Sequence, residues 1–290
     1  MRELNHPTGD RSRGDGLAGS PHTRLADELR APEQSYDTDR ATEICAEISR
    51  RAMLDLAPAL MFLSHEERLR IQALTAYTVT LFDFSRQPGL EGERLAGLNR
   101  WQFELEQALD GSPTGQPIFV RLAETETKTP WPREEFDRLH RVAQHIAVSP
   151  QSDRISSRPD LDKEMAHAWI TLASSSAIDS DTIDQGAAVL RLHRLLNLLD
   201  APVRMASQAR EALEAESGWL QQVLERRDSA TGLVPRQRAA ANYLRLASLE
   251  LYRAARADRV ETRPRRPKLG VMRRLSLLAR ARWLERRQRP

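Results

Sequence analysis

Cysteine is almost missing from this chain. Its single thiol, Cys45, cannot close an internal disulfide, and no Cys/His set has zinc spacing. A cross-linked secreted scaffold and a structural zinc module are both excluded, and a reducing compartment is expected. Long apolar runs are missing too: nowhere do about eighteen apolar residues follow one another, as a membrane span requires. The first residues carry charge, proline and glycine where an export signal needs an apolar core, so the expectation is a cytoplasmic protein. Aromatics are only 5% of the chain, and no alternating Val/Ile/Thr stretch reads as a strand. Gly-x-Ser-x-Gly, Walker and Gly-x-Gly-x-x-Gly loops are absent as well.

What remains is rich in Ala, Leu, Arg and Glu, unbranched residues that lose little rotamer freedom in a helix. With 40% apolar residues over 290 positions the chain can fill a sizeable core. The net charge of +3 hides a division. From Arg263 to Pro290 eleven Lys/Arg face one acid, Glu285, which makes +10 and leaves −7 on residues 1–262. An acidic-leaning body with a basic tail directs the tail toward a polyanion.

Residues 1–38 have no helical apolar period and read as a disordered leader. A helical pattern starts near Arg40 and pauses at Pro58. Ser64-His-Glu-Glu67 is a capping box opening a helix that Pro88-Gly89 stops. Further helices are expected at 91–110, from Pro117 to Ala123, and from Trp131-Pro132 through Ile146, with a polar loop at 149–159. Four more follow near 160–177, 182–206, 208–227 and 235–257, with Pro202 ending or kinking the second. The run 186–199 is apolar on most sides and reads as the central helix. Long helices and short turns describe an all-α, single-domain multi-helix bundle over residues 39–262.

Several polar features have plain structural readings. Glu164 and His167 have Glu-x-x-His spacing, but one copy makes no di-iron site. His140 and His145 lie off one helix face and read as ordinary helix residues. The acids from Asp179 to Asp184 are expected to cap a helix, and His193 reads as a satisfied core histidine.

Three segments resemble the squalene and phytoene synthases. Arg68-Leu-Arg-Ile-Gln-Ala-Leu-Thr-Ala-Tyr77 is similar to the helix leading into that family's first aspartate motif. Trp101 with the segment Ala108 to Ile118 is similar to the Trp…Gly-x-Pro-Thr…Pro stretch that follows it. Arg265-Arg-Pro-Lys-Leu-Gly270 resembles the basic segment that closes many members. The resemblance spans about residues 40–280 and implies a bundle of the isoprenoid synthase type.

It also implies where chemistry would sit. The family holds Mg²⁺ between two Asp-rich motifs to ionise an allylic diphosphate. Here the first motif falls on Phe82-Asp83-Phe84-Ser85-Arg86, whose outer positions are Phe82 and Arg86. The second falls on Asn197 to Met205, with Ala201 and Met205 at the Asp positions and Asp200 one place early, about 100° around a helix. Both metal cradles are dismantled, so no metal ligand and no cofactor is assigned. Asp83, Arg86, Asn197 and Asp200 are the diphosphate-binding candidates, Arg86 because its planar fork can grip a diphosphate directly. The implied function is a catalytically degenerate member that binds prenyl diphosphate or another isoprenoid, or serves as an assembly or accessory protein with a protein partner. The alternative is an active transferase condensing prenyl diphosphates head-to-head with Mg²⁺.

Residues 263–290 read as a basic amphipathic C-terminal helix. From Val271, the residues Val271, Leu275, Leu278 and Ala279 fall on one side, with Arg273, Arg280 and Arg287 opposite and Trp283 at the flank. Arg273, Arg280, Arg287 and Trp283 are membrane-contact candidates for an anionic lipid surface on the inner membrane face. The competing reading packs this helix on the bundle. No recognition module points to nucleic acid.

Overall fold

The computed structural model describes residues 37–149, 159–174, 178–226, 233–257 and 266–287. The leader up to residue 36, residues 150–158 of the expected polar loop and residues 263–265 lie outside them. Among the described residues there are eleven α-helices, one 3₁₀ segment and no strand.

Asp37 caps α1 (Thr38–Met53) by accepting the Arg40 backbone N–H at 2.7 Å. The buried side of α1 carries Ala41, Cys45 and Ile48 and packs on the two helices that follow the same core, α2 (His65–Arg86) and α4 (Pro117–Lys128). Burial pushes the Cys45 thiol up to about 12, against the opposing effect of Arg121, so it is an inert core group. Leu54 turns the chain with a positive φ of 45°, and the 3₁₀ segment η1 (Leu54–Phe62) follows. Pro58 inside η1 lacks the N–H an α-helix needs there. The capping box is present as expected: Ser64 N–H donates to Glu67 Oε2 at 2.8 Å, and Glu67 N–H donates to Ser64 Oγ at 3.2 Å.

Helices α2, α3 (Glu91–Leu109), α4 and α5 (Arg133–Val148) enclose an aromatic cluster. Tyr77 stacks on Trp101 and meets Phe136 edge-on, while Phe119 packs against Trp101 at 4.5 Å between centroids. Arg70, buried on α2, lies 3.4 Å from the Trp131 ring centroid and donates to the carbonyls of Leu172, Thr129 and Pro130. One guanidinium thus joins α2 to the ends of α4 and α6 (Pro159–Ser174).

The second half is aliphatic. Helix α7 (Ser180–Leu198) is the central helix, touching α6, α8 (Val203–Ala215), α9 (Ser217–Glu225) and α10 (Pro235–Ala257). Asp179 caps it, accepting the Thr182 N–H at 2.6 Å. At Gly186 the approach of α6 is so close that an added Cβ would lie 2.6 Å from Ile170 Cδ1.

One expected helix is ended ahead of Pro202, as that proline implied, and another is broken in two. The helix expected over 182–206 stops at Leu198, since Pro202 cannot continue the backbone ladder. The helix expected over 208–227 is two helices broken at Glu216, whose carboxylate is drawn inward to Arg191.

The last helix, α11 (Val271–Arg287), packs on α10 and on η1. Leu277, Ala281 and Glu285 form its buried stripe. This corrects the expected apolar side, because Val271, Leu275 and Ala279 point away from the bundle. The strap ahead of α11 is fixed by the buried Asp55. Its Oδ1 accepts the Leu269 N–H at 3.3 Å and the Arg274 guanidinium at 2.5 Å. Tyr243 on α10 donates to the Asp55 carbonyl at 3.0 Å.

Asp55→Ala strands the Leu269 amide and Arg274 without their acceptor. Urea unfolding should show a loss of about 2–3 kcal/mol, and trypsin should cut the chain between residues 266 and 274 much faster than in the wild type. An unchanged cleavage rate would refute the anchoring role.

Candidate functional site

Helix α7 presents two polar faces. On the first, Arg191 and Arg194 stand nearly one turn apart in the apolar stretch of the helix. Arg194 forms a two-pronged pair with Asp162 of α6, with Nη1–Oδ1 and Nη2–Oδ2 both 3.1 Å. Arg191, 1% exposed, donates through Nε to Glu216 Oε2 at 2.7 Å and through Nη2 to Glu216 Oε1. Burial pushes the Asp162 carboxyl upward, and Arg194, Arg191 and Arg86 pull it back. Arg86, at the end of α2, is thus close enough to act on Asp162 electrostatically.

The second face carries His193 and Asn197, with Asp200 in the turn that follows. His193 Nε2 lies 3.3 Å from Ser248 Oγ on α10. Asn197 Oδ1 accepts from Arg266 Nη1 at 2.6 Å, and Asp200 Oδ1 accepts the Arg266 backbone N–H at 3.1 Å. Arg266 is buried, and its guanidinium is eased below the ordinary arginine range by burial, which Asp55 and Asp200 resist.

The four diphosphate-binding candidates are thus placed as two pairs. Asn197 and Asp200 are joined through Arg266 on the strap side of α7. Asp83 and Arg86 are half-buried, nearly one turn apart on α2, with the Arg86 guanidinium 5.5 Å from the Phe82 ring and within the field of Asp162. Sequence reading missed Asp162, Arg191, Arg194, Glu216 and Arg266. One signal was available: an arginine on the inward side of an apolar helix has to find an acid. Which acid it finds is set by the tertiary fold.

Mg²⁺ needs several oxygen ligands around one point. Among the described residues no three His, Cys, Asp or Glu side chains converge in that way, and the acids beside α7 are held by arginines. The residues described here do not fit the metal.

On α11, Arg273 pairs with Glu250 of α10 at 2.5 Å. Arg287 lies over Trp283 at 4.1 Å. Arg280 and Trp283 border a groove of about 650 Å³ between α9, α10 and α11. Among the described residues no helix is long and apolar enough to cross a membrane.

No family model matches the chain, and no curated protein matches it. A solved structure does: the crystal structure of a dehydrosqualene synthase in complex with ligand, at a TM-score of 0.63 and 12% identity, covering 86% of this chain and 98% of that one. At that identity the likeness is one of fold, and the fold is the isoprenoid synthase bundle.

Burial pushes His193 down from 6.5 to about 3, helped by the Arg266 guanidinium. The native imidazole is neutral, and between these two values the unfolded chain binds the extra proton. The stability it contributes is whole above pH 6.5 and is lost as pH falls toward 3, at up to about 1.4 kcal/mol per pH unit. His140, also lowered by burial, acts in the same sense, and Asp162 in the opposite one. The comparison with His193→Gln isolates the site: the urea stability difference between the two proteins should shrink from about pH 7 to about pH 5. A difference that stays flat with pH refutes it.

Proposed function

We propose that this chain is a squalene/phytoene-synthase-like protein without prenyl-transfer catalysis, which binds an isoprenoid diphosphate or acts as an accessory or assembly protein at the inner face of a membrane. The observation that carries this reading is the pairing of acids with arginines beside the central helix. Asp162 and Glu216 are each closed by a guanidinium, and the end of α7 that resembles the second aspartate motif is occupied by Arg266. A guanidinium repels Mg²⁺ and attracts phosphate oxygens, so the local chemistry favours holding a diphosphate over ionising it.

Binding would draw on Arg86. It stands where the resemblance puts a metal ligand, and its planar fork matches two phosphate oxygens. The second reading, an active head-to-head transferase using Mg²⁺, is favoured by the likeness to a dehydrosqualene synthase over nearly that protein's whole length.

The two readings separate in one assay. Purified full-length protein with farnesyl diphosphate and Mg²⁺ should release no pyrophosphate above the protein-free blank, and sustained turnover would overturn the first reading. Calorimetry with pyrophosphate should show binding that Arg86→Ala weakens by about tenfold, the loss of one charge-assisted contact. Equal affinity in the variant rejects Arg86 as the anion ligand.

A further inference from the structure

Helix α11 has two apolar stripes, and the bundle uses one of them. Leu277, Ala281 and Glu285 face inward. On the opposite side Met272, Leu275, Ala279 and Trp283 follow one another at helical spacing, and Met272 is 79% exposed, Leu275 53% and Trp283 49%. Arginines border this outer stripe. Arg280 and Arg287 lie along one edge and Arg282 and Arg286 along the other, while the helix's one acid, Glu285, is turned inward. Arg280 and Arg286 have no ion-pair partner among the described residues.

Beside this stripe runs the groove between α9, α10 and α11. Leu246, Leu249 and Leu284 supply its apolar lining, and Arg280 and Trp283 border it. Its two acids are already neutralised: Glu225 pairs with Arg253 at 3.2 Å, and Glu250 with Arg273 at 2.5 Å. Of the arginines lining it, Arg253 is taken up by these acids and the buried Arg245 donates to the Leu224 carbonyl at 3.1 Å, so the exposed cation open to a ligand is Arg280.

We infer that the outer face of α11 enters the interface of an anionic bilayer, and that the adjoining groove seats one phospholipid, its phosphate on Arg280 and its glycerol and first acyl carbons along Trp283 and Leu284. This rests on the membrane-surface reading above and deepens it, because Met272 and Leu275 join Trp283 as the inserting residues and the arginines border them. Charge complementarity selects the lipid. An apolar strip edged by arginines is the pattern of a helix lying in a headgroup layer, with guanidinium groups at phosphate level. A second copy of the chain fits poorly, since a two-fold contact through this face would set its arginines against their own copies with no acid between them.

The test is flotation of the full chain with vesicles of phosphatidylcholine, alone or mixed with phosphatidylglycerol. Wild type should float with the mixed vesicles and not with phosphatidylcholine alone. Met272→Glu, at a side chain 79% exposed, should weaken binding by about tenfold or more, from the lost apolar insertion and the added like charge. Arg280→Gln should weaken it by about fivefold, the loss of one cation near the surface. Circular dichroism should show both variants folded, and brominated lipid should quench a wild-type fluorescence component that Trp283→Phe removes. Wild type that fails to float overturns both this inference and the membrane reading. Flotation unchanged in both variants overturns this inference alone. A concentration-dependent dimer in sedimentation that Met272→Glu abolishes assigns the face to a second copy and overturns the lipid. The diphosphate assays report separately on the bundle's interior.

Discussion

Two arginines on one buried helix set the terms for this molecule. Arg191 and Arg194 project from α7 into surroundings where a lone guanidinium loses its hydration, so each has a carboxylate brought to it. Asp162 comes from α6, and Glu216 comes from the break between α8 and α9. A carboxylate engaged in this way is not available to a divalent cation. The pairs also hold each other in place, because removing either partner leaves a buried charge unmatched, which costs more than the pair contributes. Replacing either acid strands its arginine, and replacing either arginine leaves its acid without a counter-ion.

The same logic organises the C-terminal strap. Asp55 is buried and accepts from a backbone amide and a guanidinium more than two hundred residues away in sequence. Arg266 meets Asn197 and Asp200 at the C-terminal end of α7, where a cation also complements the helix dipole. Together these bonds tie η1, α7 and α11 to one another. On the reading proposed here, a segment that resembles the family's closing stretch has become an internal counter-ion for what resembles the second aspartate motif.

Much of the fold is legible from local chemistry. The Ser64–Glu67 box, the Pro88-Gly89 stop, Pro117 at a helix start and the Asp179 cap each mark a boundary through a backbone group satisfied or removed within four residues. The break at Glu216 is less legible: Ser217-Gly218 is a weak local signal, and the Arg191 partner of Glu216 lies on another helix. The site is less legible still. Asp83, Arg86, Asn197 and Asp200 can be named from spacing, but that Asn197 and Asp200 are bonded to Arg266 depends on how α7 is rotated. An apolar run like 186–199 does not reveal that rotation.

Helix α11 shows the limit of periodicity from the other side. Its sequence is apolar at positions that wrap most of the way round, so a single amphipathic direction is not defined by the residues alone. The direction is decided by Asp55 and Glu250, which fix Arg274 and Arg273 at the first turn and so rotate Leu277 and Ala281 onto α10. Once that rotation is set, Met272, Leu275 and Trp283 must face outward. The arginines that would conventionally be read as the outward face are in part spent on orienting the helix. Two inward ion pairs thus leave an apolar ridge outside, on a basic helix carried by an acidic-leaning body. On the membrane reading proposed here, the body's negative charge would oppose approach to an anionic surface in other orientations, so the rotation of α11 would set both the residues offered to lipid and the orientation of the bundle.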